Sequence, residues 1–168
     1  MMIALRLLHV LLGVFWAGAV FITAGFLLPS AQAAGPAAGP MMRQLIAVRR
    51  LPAVSMITAI LTVLSGLGMY WRNYSLSHGA WASSTQGMTF GVGAVTALIT
   101  LGVGMSVIAP TGNKLAQLTA NIASSGGPPT SEQAATVVAL QSRMLTGARV
   151  AAGLLAITVV TMAVARYL

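Results

Sequence analysis

The chain has 168 residues, 57% of them hydrophobic and only 6% charged, with a formal net charge of +8 and a mean hydropathy of +0.88. A water-facing globular domain carries about a quarter charged residues, so that class is excluded and the surface must be met by lipid or by partner proteins. A single acidic residue, Glu132, leaves no paired carboxylates for acid–base chemistry, and the lack of cysteine excludes disulfides, iron–sulfur clusters and thiolate zinc sites.

The fold expected is all-α: an integral membrane four-helix bundle forming one transmembrane domain over residues 1–168. Four apolar runs each approach the ~20 residues that a spanning helix needs. The first, about 3–28, is interrupted only by Arg6 and His9. Ala31-Gln32-Ala33 has the form of a signal-peptidase site, but the run before it is longer than the roughly 7–15 residues of a signal sequence's apolar region. It is therefore expected to stay in the protein as a transmembrane helix.

Residues 29–50 form a linker of small residues from Pro29 to Pro40, followed by Arg43, Arg49 and Arg50. The second helix, about 51–72, ends in Met69-Tyr70-Trp71-Arg72, an aromatic and cationic anchor for the membrane interface. A short polar connection over 72–86 follows. The third helix, about 87–108, is glycine-rich, and Pro110-Thr111-Gly112 marks a kink or break after it. Residues 113–123 then keep helical spacing at Leu115, Leu118 and Ile122.

Ser124-Ser125-Gly126-Gly127-Pro128-Pro129 breaks the helix. Thr130-Ser131-Glu132-Gln133 has the form of a capping box opening the fourth helix, about 131–167. A helical hairpin therefore extends from one face of the bundle.

The cations set the orientation. The first and third connections carry Arg43, Arg49, Arg50, Lys114, Arg143 and Arg149; the opposite side carries Arg6, Arg72 and Arg166. The positive-inside rule then predicts both termini outside and the hairpin on the cytoplasmic face of a multi-pass protein, and the membrane expected is a bacterial inner (cytoplasmic) one. These cations are scattered beside apolar segments rather than gathered in a basic stripe with stacking aromatics, so no nucleic-acid partner is expected. The lipid bilayer is the partner they suit, together with other membrane subunits or further copies of the chain.

Two histidines carry the chemistry on offer. His9 lies about two turns into the first helix, where an ionisable side chain is rare and functional by default. His9, Gly13, Trp16 and Val20 fall on one helical face. A glycine one turn from an imidazole leaves a flat recess, as a porphyrin needs when histidine ligates its iron. The alternative is that His9 only hydrogen-bonds a neighbouring helix. His78 lies in the second connection, on the same side. With His9 and His78, the methionines Met69, Met88 and Met162 could surround one outer pocket; thioethers and imidazoles suit Cu(I), and a Met/His pair suits haem iron. Methionine in an apolar helix also serves simply as packing.

Leu8-His9-Val10-Leu11-Leu12-Gly13-Val14-Phe15-Trp16-Ala17-Gly18, followed by Leu27-Leu28-Pro29, resembles the first helix of the CopD-like bacterial membrane proteins linked to copper handling. It also resembles that of the HemJ-type protoporphyrinogen oxidases, a four-helix family whose first-helix histidine is tied to haem. Arg49-Arg50-Leu51-Pro52 with Leu61-Thr62-Val63-Leu64-Ser65-Gly66 is similar to the second helix of both groups. The resemblance covers mainly residues 1–70, and His9, Gly13, Trp16 and Gly18 are the positions that carry over. Where those families have a lysine near the start of helix three, this chain has Gln86, Gly87 and Met88.

The resemblance implies haem b or copper held near the outer face. The cofactor-binding residues would be His9, Gly13 and Trp16, and the metal donors would come from His9, His78, Met69, Met88 and Met162. The expected role is electron transfer or metal handling, without enzymatic activity of its own. The alternative is a cofactor-free accessory subunit of a larger membrane complex.

Overall fold

The structure is a computed structural model and describes residues 2–168. It is helical throughout apart from short connections, and four of its helices are long and apolar enough to cross a membrane. Helices are what such a sequence must form in lipid, because each then satisfies its own backbone polar groups.

Helix α1 (residues 2–34) begins as the regular helix Met2–Ile22, passes through a wide π-type turn at Thr23–Leu27 and continues as Leu28–Ala34. The helix does not yield to a linker at Pro29. A proline ring collides with the carbonyl four residues earlier, here that of Gly25, and the wide turn containing Gly25 removes the collision. α1 ends at Gly35, whose φ of +56° suits glycine. Short helical turns, Gly39–Arg43 and Gln44–Val48, then fill most of what the sequence marks as linker. The same device recurs after the third run. A wide turn at Gly104–Ile108 encloses Ser106, the residue four before Pro110. Of the kink or break expected at Pro110-Thr111-Gly112, the break is absent, and the helix continues through Ala109–Ser124.

Helix α2 spans Leu51–Leu76, α3 spans Thr85–Ser124 and α4 spans Ser131–Tyr167. α1 packs chiefly on α2, and α3 on α4; lighter contacts of α2 with α3 and of α1 with α4 close the ring. The far end of α3 and the first half of α4 run side by side as a helical hairpin. In lipid the helices gain nothing from hydrophobicity, so close packing rests on small residues. Ala59, Ala148 and Ala151 are accordingly almost fully buried. The central cluster joins Trp16, Ala59, Val63, Ala97 and Leu155. A second, nearer the hairpin, joins Ala24, Leu28 and Ala148. Ile3, Leu7, Leu11, Val14 and Phe26 point outward from α1. On a water-soluble monomer such an apolar surface would be a liability; the molecule is consistent with a multi-pass membrane protein.

α4 opens on a complete capping box. The Gln133 amide donates to Thr130 Oγ1 at 3.2 Å, and the Thr130 amide donates to Gln133 Oε1 at 2.9 Å. Thr130→Ala should cost about 1 kcal/mol locally. Because the cap is exposed and far from the bundle, hydrogen exchange should quicken over the first turn of α4 while the unfolding midpoint barely moves. An equal loss of protection around Leu155 would show that the hairpin and bundle unfold as one unit.

Candidate functional site: the His9 seat between α1 and α2

α1 turns one stripe inward, running through Leu5, His9, Gly13, Trp16 and Val20 while Leu7, Leu11 and Val14 face out. α2 answers it with Thr58, Thr62 and Ser65, three buried hydroxyls at helical spacing in an otherwise apolar helix. Each bonds back to its own helix: Thr58 Oγ1 to the Ser55 carbonyl at 3.0 Å, Thr62 Oγ1 to the Thr58 carbonyl at 2.7 Å and Ser65 Oγ to the Leu61 carbonyl at 2.7 Å.

His9 Nδ1 lies 2.8 Å from the Thr62 carbonyl oxygen and 3.3 Å from Ser65 Oγ. A carbonyl only accepts, so Nδ1 carries the proton and donates it to Thr62. In a neutral imidazole the lone pair is then on Nε2. Among the described residues nothing bonds to Nε2, and no buried side-chain nitrogen or oxygen is without a partner. Nε2 is therefore unpaired and not fully buried in the interface. This is the arrangement a ligating histidine needs: one nitrogen tethered to fix the tautomer and the ring plane, the other free to bind.

The ring rests on Gly66. A Cβ placed there would stand 2.8 Å from His9 Cε1 and 3.2 Å from Nδ1. Beside Gly13, where the sequence suggests a recess, a Cβ would stand 3.4 Å from the Thr62 methyl of α2 and meet nothing else within 4 Å. Gly13 thus lets α2 approach, and Gly66 is the residue that makes room for the Cε1 edge of the imidazole. Gly66→Ala should push the ring off Thr62 and cost about 1–3 kcal/mol. Gly153→Ala, where a Cβ meets nothing within 4 Å, is the control. Equal unfolding midpoints for the two variants would show that the ring has room the geometry denies it.

Trp16 is buried in the central cluster with Ala59, Val63, Ala97 and Leu155. His78, Met69, Met88 and Met162 lie at the same end as His9, the end with both chain termini. The register is fixed by Leu5 beside Gly68, Tyr70 beside Gly91 and Met162 beside Gly93. They stand on different elements. His78 is exposed in the connection with a φ of +50°. Met88 is exposed, Met69 is half-buried at the end of α2, and Met162 packs on α3 where a Cβ at Gly93 would meet its Cε at 2.9 Å. Among the described residues no three His, Cys, Asp or Glu side chains cluster. A centre made of several imidazoles or carboxylates is therefore not assembled within one chain.

Within the bundle, α3 and α4 have their own polar link, Thr96 Oγ1 to Thr158 Oγ1 at 2.8 Å. That link joins two hydroxyls and holds α3 and α4 together. Comparison with protein-family models, with characterised proteins and with solved structures found no match for the chain.

Proposed function

We propose that this is a small electron-transfer protein of a bacterial inner membrane that holds haem b through His9 near the outer face. The observation that carries the reading is the Nδ1–H bond to the Thr62 carbonyl, which leaves Nε2 open as a ligand. Haem fits this donor set better than a multi-imidazole metal centre does, because its iron asks the protein for only one or two axial ligands. Arg6, one turn nearer the chain end, adds a cation that can pair with the carboxylates of a haem. The second ligand would be His78 or one of Met69, Met88 and Met162. Bound there, a haem would supply a one-electron couple. Copper bound by His9 and thioethers is the variant of this reading that the methionines favour.

The proposed orientation, with both termini outside and the hairpin in the cytoplasm, rests on six cations against three. A second reading, a cofactor-free accessory subunit, is favoured by the apolar exterior and by the fact that the Thr62 bond alone already partners the imidazole.

The optical spectrum of the detergent-purified protein, oxidised and then reduced with dithionite, decides between them together with metal analysis. A Soret band with sharp reduced α and β bands is the expected result. A colourless sample with stoichiometric copper would move the reading to copper handling. A colourless, metal-free sample, unchanged after haem and copper are supplied, would overturn both and leave the accessory subunit.

A further inference from the structure

We propose that the groove between α3 and α4 at the hairpin end binds one anionic phospholipid. The groove is open, about 610 Å³ in volume, and its floor is apolar: Val103 and Val107 from α3, Gly147 and Val150 from α4. Gly147 makes the floor possible. A Cβ there would stand 3.3 Å from both Val107 Cγ1 and Ile108 Cγ1, so the missing side chain lets the helices close up. Toward the hairpin the lining takes on polar character at Ser142, Arg143 and Thr146, with the small Ala139 beyond them.

The passage from cation and hydroxyls to valines takes place between Arg143 and Val150, about 10 Å along a helix. This is the scale on which a lipid changes from phosphate to acyl chain. It lies where α4 leaves its polar first half, with Glu132, Gln133, Gln141 and Ser142, and, past Arg149, becomes continuously apolar. The groove therefore sits at headgroup depth whichever way the protein is oriented.

Charge complementarity fixes the occupant. Glu132 is the only acidic side chain in the protein, and it lies eleven residues earlier on the same helix, about 17 Å from Arg143. The guanidinium has no carboxylate to answer it, so its anion must come from outside. A zwitterionic headgroup would bring an amine for which the groove offers no carboxylate. A free phosphate would leave the valine floor uncovered. An anionic phospholipid satisfies both ends, and basic pockets between transmembrane helices are suited to such headgroups.

Native mass spectrometry of the full protein in neutral detergent tests this, with phosphatidylglycerol, phosphatidylcholine and glycerol phosphate as probes. Phosphatidylglycerol should be retained over phosphatidylcholine, and Arg143→Ala should weaken its retention about five-fold. Arg49→Ala, outside the groove, should have no effect. Val150→Trp, which fills the exposed floor, should expel the lipid with Arg143 intact. Equal retention of the two lipids, or unchanged retention in Arg143→Ala, would overturn the proposal. So would glycerol phosphate competing fully with the lipid while Val150→Trp changes nothing, since that would be a bare anion site.

Discussion

His9→Ala is expected to abolish the Soret band and the reduced α and β bands of the haem-loaded protein. The substitution removes the Nε2 lone pair and, with it, the Nδ1–H bond to the Thr62 carbonyl. Those two losses must be separated, because an interhelical hydrogen bond in a membrane protein is itself worth about 0.6 kcal/mol and up to about 1.7 kcal/mol. His9→Asn separates them. Its amide can still donate to Thr62 but offers iron no imidazole, so the spectrum should be lost while stability stays near that of the parent. If His9→Asn keeps an unaltered spectrum, His9 is a packing residue and the ligand lies elsewhere. His78→Asn is the companion test. Asparagine tolerates the left-handed backbone that His78 adopts, so a shifted spectrum there would report the loss of an imidazole ligand rather than a rearranged loop.

The apolar runs reveal the helices because lipid leaves a spanning segment no alternative, and length with hydropathy is then nearly a complete description. What the pattern conceals is where helices stop. Pro29 reads as an end and Pro110 as a kink or break, yet both are absorbed by wide turns that move one carbonyl out of the ring's way. That compensation depends on backbone geometry four residues upstream and leaves no mark at the proline itself. Likewise residues 29–50 read as linker, yet Gly35–Val48 within them folds into short helical turns.

The site was legible to a similar degree. His9 stands out because an imidazole in an apolar run is rare. Its partners do not stand out, since which face of α2 meets α1 is a tertiary fact. A signal was nonetheless present: Thr58, Thr62 and Ser65 recur at helical spacing along α2, marking a polar seam opposite one on α1. Gly13 was the natural candidate for a recess because it shares a helix with His9. The recess belongs to Gly66, on the neighbouring helix, where sequence distance hides it.

Gly87→Ala is expected to be the most destabilising single-methyl addition in the protein, at about 3 kcal/mol, the upper end of overpacking costs. Gly87 is buried at the start of α3, where its amide donates to the capping Ser84 Oγ at 3.1 Å. A Cβ there would run into the Trp81 carbonyl oxygen and stand 2.8 Å from the Ala82 Cα. Both are backbone atoms, so no side chain can rotate away and the 3₁₀ turn Ala80–Ser83 must move as a unit. That turn is held on several sides. Trp81 Nε1–H donates to Gln86 Oε1 at 3.0 Å, and the indole packs edge-on to Tyr70 at 5.1 Å and beside Phe90 at 6.1 Å. Displacing it opens the aromatic cap over the end of the bundle that holds His9. The unfolding midpoint should therefore fall, and with only three tryptophans in the chain the emission should shift as Trp81 becomes wetter. Gly102→Ala is the reference, because a Cβ there meets nothing within 4 Å and alanine is the better helix former. It should leave the midpoint unchanged or raise it slightly. Matching midpoints for the two variants would mean that the turn yields freely, and the cap could then open without loosening the helices it covers.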